Sequence, residues 1–390
     1  MNDLGQILPL WRELEDSGVD YVLATVVAVE GSSYRKPGAR MLLGQDGRRA
    51  GTVSGGCLEA EVARRAWWLT AAGPVVERYS SVDDEDERPY GSGCGGVVFL
   101  LLERRLTAAP LLMALESAFK ARSALAIATV LDGPSLGLRA IAGATEPACE
   151  DAQGFSPVES GDSGSNADAL KDLARLALDN RTSFEQSVPF DGGLTRVLAD
   201  YVAPRPGLWV FGAGDDAKPL VQLAQTLGWF VSVADGRSHL ATRERFPTVD
   251  DPRVLPVFDL PGDAPQNFSL RSSDAAVVMT HSFDQDSRIL ASLLALDVPP
   301  VYLGVLGPQR RTRELLVEAA RLLHLPAHAD RIDRWLAQMH TPTGLDLGAE
   351  TPAAIALSIV AEIQQELTAA TGQPLREVRA IREIPANSCE

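Results

Sequence analysis

Histidine is missing from the first half of this 390-residue chain; His239, His281, His324, His328 and His340 all lie in the second. The first half therefore has no imidazole for general-base or metal-ligand work, and chemistry there falls to thiol, carboxylate, Lys, Arg or Tyr. Cysteine is scarce. The four (Cys57, Cys94, Cys149, Cys389) form no CxxC and no zinc spacing, so they read as free thiols of a reducing compartment. No apolar run reaches the roughly 18 residues of a spanning helix. The N-terminal stretch lacks a basic segment followed by an apolar core, which excludes a secretory signal. The expected location is the cytoplasm, with no membrane partner. Positive charge is also short: 36 Lys and Arg against 52 Asp and Glu give a net charge of −16. Such a chain has no basic footprint for nucleic acid. The acidity serves solubility.

What is present fits two domains with cores of their own. The N-terminal stretch, residues 1–18, reads as a short amphipathic helix, with Leu4, Ile7, Leu8 and Trp11 on one side. β-Branched runs separated by glycines follow: strands over 21–29, 39–43 and 97–102, and a helix over 58–70. A polar, Gly- and Ser-rich stretch over about 146–167 reads as a mobile loop that holds Cys149. A helix over 169–180 and strands near 182–189 and 194–202 complete a first domain, residues 1–203. Pro204-Arg205-Pro206-Gly207 marks the boundary.

A weak internal repeat runs through this first domain. Leu23-Ala24-Thr25-Val26-Val27 matches Ile127-Ala128-Thr129-Val130-Leu131, and Gly38-Ala39-Arg40 matches Gly137-Leu138-Arg139. Read as a duplication, it makes the strand pair scaffold and the Gly31–Pro37 insert of the first copy functional. The alternative is chance similarity.

From Leu208 strands alternate with helices, which implies a parallel sheet. Strands are expected at 208–211, 230–234, 254–257, 275–280 and 301–303, and helices from near Asp216, Asp286 and Gln309. This makes residues 204–345 a Rossmann-like doubly wound domain. The fold class is α/β, an N-terminal mixed α/β domain followed by that parallel sheet. Residues 346–390 hold a last helix packing on the domains, with Thr351 as N-cap, Pro352 at its first position and an apolar stripe of Ile355, Ile359, Ile363 and Leu367. The tail beyond Gly372 reads as irregular.

Gly212-Ala213-Gly214-Asp215-Asp216-Ala217 follows a strand and opens a helix, the context a dinucleotide fingerprint requires. Gly212 makes the turn and Gly214 admits a pyrophosphate to the helix N-terminus. Asp235 ends the second strand, where an acid meets a ribose hydroxyl; Arg237 would instead meet a 2′-phosphate. Asp215 and Asp216 place negative charge against such a phosphate. The competing reading keeps this domain for packing or dimerisation alone. His281 ends a parallel strand, facing the ligand crevice or capping the following loop; Gly304 belongs to the next strand end.

Two glycine-framed cysteines carry the first domain's chemistry. Gly55-Gly56-Cys57 precedes a helix whose dipole favours thiolate. Cys94-Gly95-Gly96 follows the acidic run Asp83–Glu87, whose charge would raise a nearby thiol's pKa. Either cysteine alone is more commonly a small core residue. The basic pair Arg35-Lys36 can meet a phosphate, and with the glycines it favours a ligand site.

Taken together, GSSYRKPGARML, GTVSGGCLEAEV, GCGGVV, VFGAGDDAKPL, VADGR, VMTHSFDQD, YLGVLGPQRR and GLDLGAETPAAIALSIVAEI resemble the XdhC/CoxI family. These are accessory proteins for maturation of xanthine dehydrogenase and related molybdenum enzymes, and the likeness spans nearly the whole chain. It implies a chaperone that binds molybdenum cofactor, in mononucleotide or dinucleotide form, protects it during sulfuration and hands it to an apo molybdoenzyme. It adds a cysteine desulfurase and a second copy of the chain as partners, and Cys94 or Cys57 as a soft ligand to molybdenum. Where the family often has His after the GAG triplet, this chain has Asp215. The alternatives are an NAD(P)-dependent oxidoreductase with His281 as proton donor, and a structural dimeric adaptor.

Overall fold

The computed structural model describes residues 3–31, 33–56, 58–80, 96–143, 163–254 and 270–382. The chain divides into two compact units, Met1–Arg205 and Pro206–Glu390. No described helix is long and apolar enough to cross a membrane.

The first unit is built from two antiparallel sheets. After helix α1 (Leu4–Ser17), the strands β1 (Tyr21–Glu30), β2 (Arg40–Gly44), β3 (Arg49–Gly51), β4 (Val75–Ser80) and β5 (Val97–Arg104) pair in the order β3-β2-β1-β5-β4. Helix α2 (Glu59–Leu69) joins β3 to β4, and α3 (Arg105–Ala121) leads to the second sheet. That sheet orders β7 (Arg139–Gly143), β6 (Leu125–Val130), β9 (Gly193–Val202) and β8 (Phe184–Phe190), with α4 (Ser163–Asn180) between β7 and β8. Residues 163–167 of the expected loop are thus helical.

The repeat is three-dimensional. Thr25 pairs with Arg40 in the first sheet and Thr129 with Arg139 in the second. In both, the next residue closes the same backbone bonds: Gly38 donates to Val26 and Gly137 to Val130. The neighbouring strand also matches, since Leu23 faces Glu103 and Ile127 faces Asp200. Among the described residues each copy therefore contains a strand pair, a helix and a second strand pair, with β3 as an additional strand in the first. Alternation along β1 and β6 drives this arrangement. Val22, Ala24 and Val26 face a core shared with α2, and Ala126, Ala128 and Val130 face one shared with α4. Leu23, Leu125 and Ile127 turn the other way, into a core with α1 and α3.

The repeats are cross-linked by exchanged ion pairs. Arg40 of the first copy bonds Asp200 of the second at 2.6 Å, and Arg139 of the second bonds Glu103 of the first. Burial pushes the Glu103 carboxyl above its usual range, while the fields of Arg139 and Arg40 pull it back.

The second unit is a parallel sheet, β12 (Asp251–Val254), β11 (Phe230–Asp235), β10 (Gly207–Phe211), β13 (Ala275–Val278) and β14 (Tyr302–Val305), in that order. This is the doubly wound order with its switch point between β10 and β13. The edge strand expected over 254–257 is seen over Asp251–Val254, and residues 255–257 lie outside the described residues. Helices α5 (Ala217–Thr226) and α9 (Pro352–Thr368) cover one face; α6 (Phe283–Leu294), α7 (Gln309–Leu322) and α8 (Ala329–Ala337) cover the other. Ile359 and Ile363 of α9 are buried in the core of this unit, and Thr351 caps the helix by accepting from Ala354 N–H. The tail expected to be irregular forms α10 (Leu375–Arg382). α6 starts three residues earlier than expected because Ser282 is its N-cap, accepting from Gln285 N–H. Asp286 lies inside the first turn and is buried.

Candidate functional site

Three connections leave one end of the first sheet: residues 31–39 between β1 and β2, 52–58 between β3 and α2, and 81–96 between β4 and β5. The ends match because Glu30 and Ser80 both pair with Val97. The second copy reduces the last connection to a tight two-residue Asp191-Gly192 turn. Cys57, Cys94 and Gly95 lie outside the described residues, as do Cys149 and Cys389. Their neighbours do not. Val53 and Leu58, on either side of Cys57, share one buried cluster with Tyr79 and Val98, which flank the segment holding Cys94.

The 52–56 loop is wrapped around a carboxylate that no sequence motif singles out. Glu59, in the first turn of α2, accepts backbone N–H bonds from Val53, Ser54, Gly55 and Gly56 at 2.9–3.2 Å. The hydroxyls of Thr52 and Ser54 also donate to it. Burial alone would raise its pKa. The Ser54 and Thr52 hydroxyls and the Ser54 N–H outweigh burial and push it down to about 2. This fixes the glycine loop and the position from which Cys57 departs. Tyr34 lies over Gly55, where a Cβ would come within 2.9 Å of its ring.

Because the folded pKa is depressed, the stabilisation from Glu59 is complete above its unfolded pKa and drains away as pH falls from there towards about 2. Glu59→Gln retains the shape but removes the charge and turns an NH₂ towards donors. We expect a loss of about 2–3 kcal/mol at pH 7. Denaturant melts at pH 7 and pH 3 check this: the difference between variant and wild type should shrink at the lower pH, and a pH-independent difference would contradict the role given to the charge.

Arg35 and Lys36 reach the same end of the sheet. The Arg35 guanidinium pairs with Asp3, and burial pulls its pKa down while Glu59 raises it. Lys36 is exposed. Gly96 borders the undescribed segment at the start of β5.

In the second unit the glycine turn lies at the switch point. Gly212 has φ +130°, and a Cβ there would press into the Met279 carbonyl. Asp235 is fully buried and saturated. One carboxylate oxygen accepts from Arg237 N–H and Nε, the other from Ala213 N–H and the Arg237 terminal nitrogen. All four of its acceptor positions are thereby used within the protein. Burial raises its pKa and the bonds from Arg237 and Ala213 lower it, with a net downward shift. Asp215 is held by Lys218 and Arg245.

The carboxylate of Asp216 stands against Gly214, in the space a Cβ there would enter, and bonds His281 Nε2 at 2.7 Å. His281 is in the left-handed region, φ +62°. The residues around it explain how it is held there. Thr280 and Asp286 are buried and bonded to each other at 2.6 Å, and Arg311 of α7 bonds Asp286 at 2.7 Å. The structure thus joins His281, Asp216 and Gly214 in one crevice and turns Asp235 and Arg237 on each other. Gly304 serves packing: its Cβ position is filled by Thr343 and Tyr302, which bond each other, and Tyr302 also bonds Glu362. Among the described residues no group of three His, Cys, Asp or Glu could hold a metal ion.

Two antiparallel repeats carrying glycine-rich connections, followed by a Rossmann-type parallel sheet, define the class as a two-unit α/β protein. A family model described as the XdhC Rossmann domain matches residues 208–363, and one described as the XdhC and CoxI family matches residues 14–80. The chain is 32% identical over 358 residues to a probable xanthine dehydrogenase subunit of Bacillus subtilis (strain 168), covering 90% of this chain and 94% of that protein. It is 38% identical over 109 residues to the molybdenum cofactor insertion chaperone PaoD of Escherichia coli (strain K12), 26% of this chain and 31% of that one. A crystal structure of a xanthine dehydrogenase from Bacillus halodurans superposes with a TM-score of 0.66 at 28% identity, covering 93% of this chain and 96% of the other. The chain belongs to the XdhC and CoxI family.

Proposed function

We propose that this protein binds molybdenum cofactor, shields it during sulfuration and delivers it to a xanthine-dehydrogenase-type apoenzyme, without turnover of its own. The observation that carries this reading is the shared buried cluster at one end of the first sheet, which anchors the flanks of both cysteine-bearing segments. Two cysteine-bearing segments whose flanks meet at one end of a sheet suit a soft molybdenum dithiolene centre. The names of the Bacillus subtilis and PaoD relatives support the same class of role. A cysteine desulfurase would supply sulfur, and the chain would act as a homo-oligomer.

The second unit supports a carrier better than an NAD(P)-dependent oxidoreductase. A ribose diol would find Asp235 already saturated, and a pyrophosphate would meet the Asp216 carboxylate at Gly214. A dinucleotide form of the cofactor would have to move Asp216 from His281.

The test is pterin content. Protein made in a molybdenum-replete host should release a fluorescent oxidised pterin, and Cys94→Ala should lower the yield per chain several-fold, with a folding cost of about 1 kcal/mol or less. Pterin-free wild-type protein would overturn the reading. Equal yields from wild type and Cys94→Ala would remove Cys94 from the site.

A further inference from the structure

The first unit holds a cleft of about 340 Å³ that neither cysteine segment explains. It lies where the two repeats meet. The 34–40 connection of the first copy forms one wall, and Ser183, Asp200 and Tyr201 of the second form the other. Three cations line it, Arg35, Lys36 and Arg40, together with two carboxylates, Asp3 and Asp200. Each carboxylate is already matched: Asp3 by Arg35, and Asp200 by Arg40 and by Ser183 Oγ at 3.1 Å. Glu59 is the further charge felt by Arg35, and its own loop satisfies it.

The cations are not satisfied in the same way. Arg40 is 6% exposed, and its two terminal nitrogens bond the Gly38 carbonyl and Asp200. Its Nε is buried with no partner, and so is the Nε of Arg35. A buried N–H left without an acceptor costs free energy that a ligand oxygen would return. The two walls meet at Gly38, which must be glycine there, because a Cβ would lie 2.5 Å from Asp200 Oδ1 and the residue has φ +91°.

We propose that this cleft is a phosphomonoester site, with Lys36 at its mouth and the unpaired Nε groups of Arg35 and Arg40 as inner donors. A tetrahedral dianion offers several acceptor oxygens and a double negative charge, which suits a cleft lined by three cations whose two carboxylates are already paired. The inference rests on the cofactor-carrying reading in one respect: the phosphate end of a pterin cofactor is the occupant with the right chemistry beside the thiol-bearing end of the first sheet. The recognition element is composite, since one copy of the repeat supplies the cations and the other supplies Asp200, which orients Arg40.

The probe is inorganic phosphate, titrated calorimetrically into the full-length protein at low ionic strength. Lys36→Glu should weaken binding roughly tenfold or more, because it reverses an exposed charge at no packing cost. Arg35→Gln should weaken it to a lesser degree. Arg237→Gln, in the other unit, should leave it unchanged. The thermal melt of each variant separates lost binding from lost folding, and Lys36→Glu should melt as wild type. Unchanged phosphate affinity in Lys36→Glu, or a loss confined to Arg237→Gln, would overturn the site. Pterin yield then separates the two readings. Phosphate binding in a wild-type protein that never carries pterin upholds the cleft and sinks the carrier function. Normal pterin in a Lys36→Glu variant that has lost phosphate sinks the cleft as the cofactor's phosphate site and leaves the carrier function standing.

Discussion

Gly212→Ala is expected to destabilise the second unit by about 3–5 kcal/mol, adding strain in a region that L-residues avoid to overpacking against backbone. With φ at +130° and the Met279 carbonyl filling the Cβ position, no rotamer relieves the clash. The neighbour is not the movable end of a side chain but the backbone that continues strand β13, bonded to β10 through Met279 N–H and Phe211. Hydrogen exchange read peptide by peptide on the full chain measures this: protection should fall in β10 and β13 and persist in the first unit's sheets. Unchanged protection in β10 would mean that the turn is not held as described. Gly214→Ala should be milder, because its Cβ would meet only the Asp216 carboxylate, which can swing aside. The contrast separates a glycine needed for the fold from one whose neighbourhood is set by the crevice.

Arg139→Met is expected to cost about 3–5 kcal/mol at neutral pH, the usual penalty for stranding one member of a buried ion pair. Glu103 is fully buried, one of its oxygens has no hydrogen-bond partner, and Arg139 bonds the other. Burial already holds its carboxyl above the usual range, and losing Arg139 removes the larger of the two opposing fields. The carboxyl then folds most easily as the neutral acid. The penalty should therefore be greatest at high pH and shrink as pH falls below the raised folded pKa. Denaturant melts of wild type and variant between pH 5 and pH 8 give the slope. The double variant Glu103→Leu, Arg139→Met should recover most of the loss, because no buried charge is left without its partner. A double variant as unstable as the single one would show that packing of the Arg139 stem, and not charge, holds the repeats together.

The internal repeat is visible in the sequence as one five-residue match and one Gly-x-Arg echo, too little to exclude chance. What makes it a duplication lies elsewhere. The partners of Leu23 and Ile127 are Glu103 and Asp200, acids far along the chain with no flanking sequence match, and strand pairing reveals them as equivalent. The exchange of arginines between copies is invisible for the same reason. Helix α3 leaves no clean periodic signal, since Pro110 interrupts its pattern, and α8 is short. In the crevice the sequence points to the right residues and leaves open their use. Asp235 looks available for a ribose hydroxyl because spacing cannot show that Arg237, two residues on, folds back and takes three of its four acceptor positions. Asp216 looks like a charge merely opposing phosphate, and is in fact the partner of His281, 65 residues away.

Local pattern determined the second unit almost completely. Parallel strands buried on both faces leave a continuous apolar signal, and a glycine turn between strand and helix has one geometric solution. Thr351 and Pro352 likewise announce α9, because capping is a property of neighbouring residues. The family's glycine and cysteine motifs were equally legible, since a loop that must reverse direction needs glycine wherever it occurs. Only the tertiary structure decided which polar groups are spent and which are free. Glu59 lies two residues from Cys57 in a helix-start pattern that any solvated glutamate would share, yet six donors from the preceding loop converge on it. The sequence marks Arg35 as half of a basic pair and Arg40 as part of a repeat, but not which of their nitrogens lack an acceptor. Their unpaired Nε groups exist because two copies of a repeat meet there, and hydrogen-bond satisfaction depends on neighbours in space, which no sequence window contains.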